Sequence, residues 1–202
     1  KAKKLTKKHQ MKLTLEESPA ESAARRLAKT DLVYFEDEAR ETVKGDNEDV
    51  VYYTNSVHLS ADADVCLVER IRKQAMFHSI IESGAITHAF VGDEKPSAEA
   101  IAELMKETFF RTQSAQVTIS PEFTYCNDCG YQTRGLLTSC PACHSENVVG
   151  ETRVVGYFSK VQNWNKSKRY GELVARQRGR YAVETVEDVM ETAADPLPVA
   201  GE

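Results

Sequence analysis

Four of the five cysteines in this 202-residue chain lie within 18 residues, as Cys126-Asn127-Asp128-Cys129 and Cys140-Pro141-Ala142-Cys143. Each pair is a tight knuckle whose turn aims two thiolates at one point, and a hairpin between the knuckles brings the pairs together as a four-sulfur set. Soft thiolates in that arrangement select Zn²⁺, with an iron–sulfur centre as second choice. Four cysteine ligands leave the metal no open position, so the expected zinc is structural rather than catalytic. Gly130 and Gly135 supply turn conformations for the hairpin. His144 follows the last ligand as a bystander, and Cys66 stands alone as a small core hydrophobe.

The chain around this cluster has the composition of a soluble globular protein. Hydrophobic residues make up 41% and charged residues 28%, with 26 Lys+Arg against 31 Asp+Glu and a formal charge of −5. No apolar run approaches a membrane span and no secretory leader is apparent, so the expectation is a cytoplasmic protein in a reducing compartment. Net acidity argues against a protein that coats nucleic acid. The ribbon loops agree, because Arg134 is their only basic residue and Asp128 and Glu146 oppose it. The chain opens on Lys1 rather than Met, and the expectation is a piece of a longer protein.

The elements that must position the cluster follow from periodicity. Residues 1–12 read as a solvated lysine-rich end. Ser18-Pro19-Ala20-Glu21 carries an N-cap, a proline suited to the first helical turn and a capping glutamate, which predicts a helix from Pro19 to Lys29. Leu32–Phe35 and Val50–Thr54 read as strands, with a polar loop over 36–49 between them. A helix is expected over 64–82, a strand over Ala85–Val91, a helix opening at Pro96 and a strand over Gln116–Ile119 that stops at Pro121. This alternation predicts an α/β fold built of βαβ units with parallel strands. Residues 166–180 are basic and partly helical, and the acidic tail is expected to be disordered.

Beyond the cysteines the chain reads Arg153-Val154-Val155-Gly156-Tyr157-Phe158 and then Asn163-Trp164-Asn165. An RVxGY stretch soon after a four-cysteine ribbon, followed by NWN, closely resembles the C-terminus of the anaerobic (class III) ribonucleotide reductase large subunit. Ser18-Pro19-Ala20-Glu21-Ser22, Tyr52-Tyr53-Thr54-Asn55-Ser56 and Gly84-Ala85-Ile86-Thr87-His88 agree with it in order, so the resemblance covers about residues 15–181. It implies the C-terminal part of a ten-stranded glycyl radical enzyme barrel over 1–124, a zinc ribbon over 125–149, a glycyl radical loop with a basic segment over 150–181 and an acidic tail over 182–202.

The resemblance further implies a glycyl radical at Gly156, generated by a partner activating enzyme with S-adenosylmethionine and a [4Fe–4S] cluster. It implies ribonucleoside triphosphate as substrate, formate or a thiol as reductant, and a homodimer at full length. The thiyl cysteine of the family lies far upstream of its glycine and Cys66 does not match its context, so the chain alone is expected to be inactive. Related reductases hold substrate phosphates near the stretch containing Ser18, Glu21 and Ser22. Phosphate binding there stands beside a plain helix cap, and Asn55 is a weaker substrate-binding candidate. Two alternatives remain at this level: a stand-alone glycyl radical spare-part subunit for a reductase, and a zinc-ribbon binding module without redox chemistry.

Overall fold

The longest apolar stripes in the chain build its core. The computed structural model describes residues 1–18, 20, 22–55 and 57–179; the acidic tail expected over 182–202 lies outside them, as do Pro19, Glu21 and Ser56. Helix α4 (Leu67–His78) places Leu67 and Ile71 inward and opens on Cys66, whose sulfur accepts from the Glu69 N–H at 3.4 Å. Cys66 is therefore an exposed cap and not the core residue expected of it. Helix α5 (Ala98–Arg111) is capped by Ser97, which accepts from the Ala100 N–H at 3.1 Å, and buries Leu104. Leu67, Ile71, Leu104 and Ala89 form the core, with Val68, Met105, Val117 and Ile119 packed on it.

Strands β1 (Thr87–Gly92) and β2 (Val117–Pro121) pair in parallel, from Thr87 opposite Val117 onward, with α5 as their crossover. The βαβ reading of 85–121 therefore holds. The third strand expected at Val50–Thr54 does not form. Val50, Val51 and Tyr52 are buried, yet their backbone makes one isolated antiparallel bridge, Tyr52 with Lys44. Burial produces an apolar run there without a ladder partner, and a run of that kind is indistinguishable from a strand in sequence.

The N-terminal region is more helical than its residue pattern suggests. Helix α1 (Ala2–His9) is solvated, as its lysines require. Helix α2 runs Ala23–Tyr34, starting after the expected Pro19 and absorbing Leu32–Tyr34 of the stretch read as a strand at Leu32–Phe35. Nothing between Lys29 and Tyr34 breaks a helix, and Val33 and Tyr34 stay exposed at 76% and 72%. The predicted loop over 36–49 contains helix α3 (Glu36–Thr42), whose first turn holds Glu36, Asp37 and Glu38 against the positive end of its dipole. Arg40 pairs with Glu36 one turn away at 2.6 Å.

From Phe123 onward a second sheet forms, in the order β4–β3–β5–β6 and antiparallel throughout: β3 (Phe123–Cys126), β4 (Gln132–Arg134), β5 (Val148–Arg153) and β6 (Phe158–Lys160). The sheet is tied to the α/β layer by Glu122 N–H to Gly92 O at 2.8 Å and by Thr152 Oγ1 to Pro121 O at 3.0 Å. A single-turn 3₁₀ segment (Val161–Asn163), a π-helical turn (Ser167–Glu172) and helix α6 (Leu173–Arg178) complete the described chain. Gly171 in the π-helical turn lies where a Cβ would meet the Val50 carbonyl oxygen at 2.7 Å, so close backbone approach explains that glycine.

Candidate metal centre and radical loop

The two knuckles hang at the ends of β3, β4 and β5. Cys126 closes β3 and its N–H bonds the Tyr131 carbonyl at 2.9 Å, while the Gly130 N–H returns to Cys126 O at 3.0 Å. The second knuckle repeats the pattern, with His144 N–H to Cys140 O at 2.8 Å and Cys140 N–H to Ser145 O at 2.8 Å. Asp128 braces the two turns by accepting from Ser145 Oγ and from Asn147 Nδ2, the latter at 2.7 Å.

All four sulfurs lie within 4.8 Å of one another, and Cys126–Cys143 and Cys129–Cys140 are each 3.6 Å apart. A tetrahedral zinc–thiolate site with bonds of about 2.3 Å has sulfur–sulfur edges of about 3.8 Å, so the cage fits the ion. Its electrostatics ask for a cation. The Ser145 backbone N–H favours the Cys143 thiolate, but Cys129 and Cys126 beside it push that thiol up to about 12. Four thiolates at this spacing cannot coexist without positive charge among them. His144, at φ 59°, contributes no ligand to the cluster.

The sheet rooted in this cage delivers Gly156. It stands between Arg153, the last residue of β5, and Phe158, the first of β6. The turn is closed by Val154 N–H to Tyr157 O at 3.0 Å. Gly156 is exposed, its φ lies outside the left-handed region, and nothing stands within 4 Å of where a Cβ would be. Neither backbone conformation nor crowding therefore requires a glycine here, in contrast to Gly135 at φ 84° or Gly171 against the Val50 carbonyl.

Gly156 faces a cavity of about 390 Å³ whose wall also includes Ser18, Glu17, His58, Ile86 and Tyr157. Ser18 and Gly156 are thus brought together. Ser18 does not cap a helix: α2 begins after Ser22, whose side chain makes no capping bond. Ser22 is exposed at that helix start, with no acidic residue in the first turn and with Arg25 and Arg26 close behind it. Asn55 lies apart from these, in an adjoining cavity of about 50 Å³ that it shares with His58, Gln74, His88, Val154 and Val155. Its Oδ1 is buried without a hydrogen-bond partner, as are both His88 ring nitrogens.

Glu17 is a site residue that the motif pattern does not reveal. It is buried, accepts from the Ile86 N–H at 3.3 Å and lies 3.4 Å from His58 Nε2. Burial works against its carboxylate, but His58 and the Ile86 N–H outweigh it and hold its pKa below the usual range. His58 also bonds the Ile86 carbonyl at 2.9 Å, which anchors its ring. His88 is pushed down to about 3, first by burial and then by the charges of His58, Arg176 and Arg153, so its imidazole is neutral.

Lys168, Glu172 and Arg176 also escape motif reading, although their i, i+4, i+8 spacing of alternating charge was the available signal. Glu172 accepts from Lys168 Nζ at 2.7 Å and from Arg176 Nη2. Burial opposes its ionisation, but Arg176 and Lys168 bring it down to about 2.

The family model described as anaerobic ribonucleoside-triphosphate reductase matches residues 1–178. That span reaches far beyond the ribbon and loop and disfavours a zinc-ribbon module alone. No curated protein sequence matches the chain. A solved anaerobic ribonucleotide reductase superposes with a TM-score of 0.67 at 22% identity, over 89% of this chain and 26% of that one. The anaerobic ribonucleotide reductase from Thermotoga maritima in complex with dATP and CTP gives 0.63 at 23% identity, over 84% and 26%. The same enzyme with glycerol in the active site gives 0.61 at 22%, over 83% and 24%. These likenesses show a shared mixed α/β fold, and the chain spans about a quarter of the length of each structure.

Proposed function

The chain belongs to the anaerobic ribonucleoside-triphosphate reductase family, and on that premise we propose that it is the radical-bearing C-terminal part of an enzyme that reduces ribonucleoside triphosphates to deoxyribonucleotides. The carrying observation is Gly156. It is a glycine that its surroundings do not require, at the tip of a loop between two strands, facing a cavity large enough for part of a substrate. Removal of one Cα hydrogen leaves a radical flanked by an amide nitrogen and a carbonyl, and both delocalise it. Absence of a Cβ lets that centre become planar and keeps its Cα–H within reach.

Each remaining residue has a place in this reading. Cys126, Cys129, Cys140 and Cys143 would hold a structural Zn²⁺, which supplies no chemistry to the reaction and fixes the root of β3 and β5. Ser22 and the start of α2, with Arg25 and Arg26, would receive substrate phosphates, with Ser18 and Glu21 in the same stretch. Asn55 offers an unpaired acceptor in the adjoining cavity. A radical S-adenosylmethionine activating enzyme with a [4Fe–4S] cluster would remove the Gly156 hydrogen, and formate or a thiol would supply the electrons. The full-length protein would be a cytoplasmic homodimer. The thiyl cysteine would come from chain not present here, so this piece alone makes no deoxynucleotide.

Anaerobic incubation with the activating enzyme, S-adenosylmethionine and a reductant tests the reading. An EPR doublet is expected, from coupling to the one remaining α-hydrogen. Gly156→Ala should abolish it while leaving thermal stability unchanged, since a methyl meets no neighbour. Air should then cut the chain at Gly156, since O₂ adds to the carbon radical. A well-folded, zinc-loaded protein that gives no doublet under these conditions would sink the assignment.

A further inference from the structure

The chain around Gly156 is held by two arginines that the radical reading leaves without a role. Arg153 ends β5, and its guanidinium turns forward over the loop so that Nη1 donates to the Gly156 carbonyl oxygen. Its Cζ lies 4.7 Å over the Phe158 ring, the first residue of β6. One side chain therefore spans the loop mouth and ends on the carbonyl of the glycine.

Arg176 fixes the chain from which Arg153 projects. It is buried, at 4% exposure, on α6. Nη1 donates to the Arg153 carbonyl at 2.6 Å and Nη2 to the Val154 carbonyl at 2.8 Å. The guanidinium lies 4.0 Å over the Phe90 ring of β1 and 5.4 Å from Trp164. Its charge is met by Glu172, itself braced by Lys168. A planar fork reading two successive carbonyls is a task for which lysine has no equivalent geometry. The free part of the loop therefore starts at Val155.

We propose that Arg153 contacts the radical centre through the Gly156 carbonyl and draws unpaired spin onto that oxygen, and that Arg176 is the positioning residue that presents it. The proposal rests on the reading of Gly156 as the radical site. A carbon-centred radical beside a carbonyl places part of its spin and negative charge on oxygen. A cationic donor at that oxygen stabilises this share, because charge-assisted hydrogen bonds are the stronger kind. The same contact holds the Gly156 carbonyl in one orientation, which keeps it conjugated with the Cα centre. Hydrogen-atom removal itself is unchanged, and no further oxidant or reductant enters.

Two measurements test this, one of which needs no radical. The chain contains two Gly-Tyr pairs, Gly130-Tyr131 and Gly156-Tyr157. Protein labelled with [1-¹³C]glycine and [¹⁵N]tyrosine therefore shows two carbonyl correlations, with Gly130 as internal control. Arg153→Met should move the Gly156 carbonyl upfield and leave Gly130 in place, and Arg153→Lys should restore part of the shift. Arg176→Lys should move or broaden the same Gly156 signal. A Gly156 carbonyl indifferent to Arg153→Met overturns the contact, even if that variant cannot be activated. A lowered Tm in Arg176→Lys with an unmoved Gly156 signal reduces Arg176 to fold support.

High-field EPR of the activated protein is the second arm. Arg153→Met should widen the α-proton splitting as spin returns from oxygen to carbon, with a shift in the largest g value, and Arg153→Lys should lie between. A wild-type doublet with an unaltered spectrum in Arg153→Met overturns this inference alone. Absence of any wild-type doublet overturns the Gly156 reading and this inference with it.

Discussion

Ser18 and Gly156, from opposite ends of the described chain, face one cavity of about 390 Å³. Neither reaches it on its own account. Ser18 follows Glu17, whose carboxylate is tied to the Ile86 N–H, and Gly156 is carried in by a β-sheet rooted in the cysteine cage. The convergence makes the N-terminal stretch a candidate for positioning substrate against the Gly156 loop proposed to carry the radical, and it bears on how each part responds to change.

Ser22→Glu in the full-length reductase places negative charge at the start of α2, where phosphate is proposed to bind. Apparent KM for the ribonucleotide should rise roughly two- to fivefold with kcat little changed, the range expected for one charge at a helix terminus. Steady-state kinetics check this, and an unchanged KM returns the stretch to a structural role.

Loss of one thiolate should empty the cage. Cys126→Ser leaves three sulfurs and opens the end of β3, so protein purified anaerobically should retain well under one zinc per chain by metal analysis. Metal binding and local folding are coupled, so amide exchange should quicken through β3 and β5. An intact zinc stoichiometry in that variant would show that Cys126 is not a ligand.

Glu172→Gln removes the shared counter-ion of Lys168 and Arg176, which are 5% and 3% exposed at their side chains. Stranding a buried charge costs about 3–5 kcal/mol, far above the value of a surface pair. Urea denaturation should show a loss of that order. A change below about 1 kcal/mol would mean that water reaches both cations.

His88 makes acid stability a direct readout of burial. Its pKa is about 3 when folded and 6.5 ordinarily, so the unfolded chain binds the extra proton between those values. Stability is therefore retained above pH 6.5 and falls as pH drops toward 3, by up to about 1.4 kcal/mol per pH unit for one proton. His78, also lowered by burial, adds to the same slope, and Glu172 adds its own loss only below its ordinary value of 4.5. Tm measured against pH should flatten in His88→Phe relative to wild type, and an equal slope in both would place the effect elsewhere.

Local chemistry was legible in sequence. The cysteine spacing announced a four-sulfur cage because two knuckles of that form have few other uses. RVxGY after a ribbon marked Gly156. Apolar stripes through Ile71 and Leu104, with Pro96 at the second start, located α4 and α5, because a helix that faces a core must repeat near 3.6 residues. The caps at Cys66 and Ser97, by contrast, came from the structure. What tertiary structure alone decided was pairing and encounter. Val50–Tyr52 has the composition of a buried strand and is buried, but whether a buried run gains a ladder depends on a neighbour's backbone, which its own residues do not specify. Leu32–Tyr34 became helical because α2 met no breaker, leaving Val33 and Tyr34 exposed against their apolar character. Ser18 beside Gly156, Glu17 beside His58, and Arg176 on the carbonyls of Arg153 and Val154 are all contacts between distant segments. No periodicity encodes these contacts, since each depends on how separate elements pack. Gly156 was singled out by its motif; the Arg176 fork on the Arg153 and Val154 carbonyls exists only once α6 lies against β1.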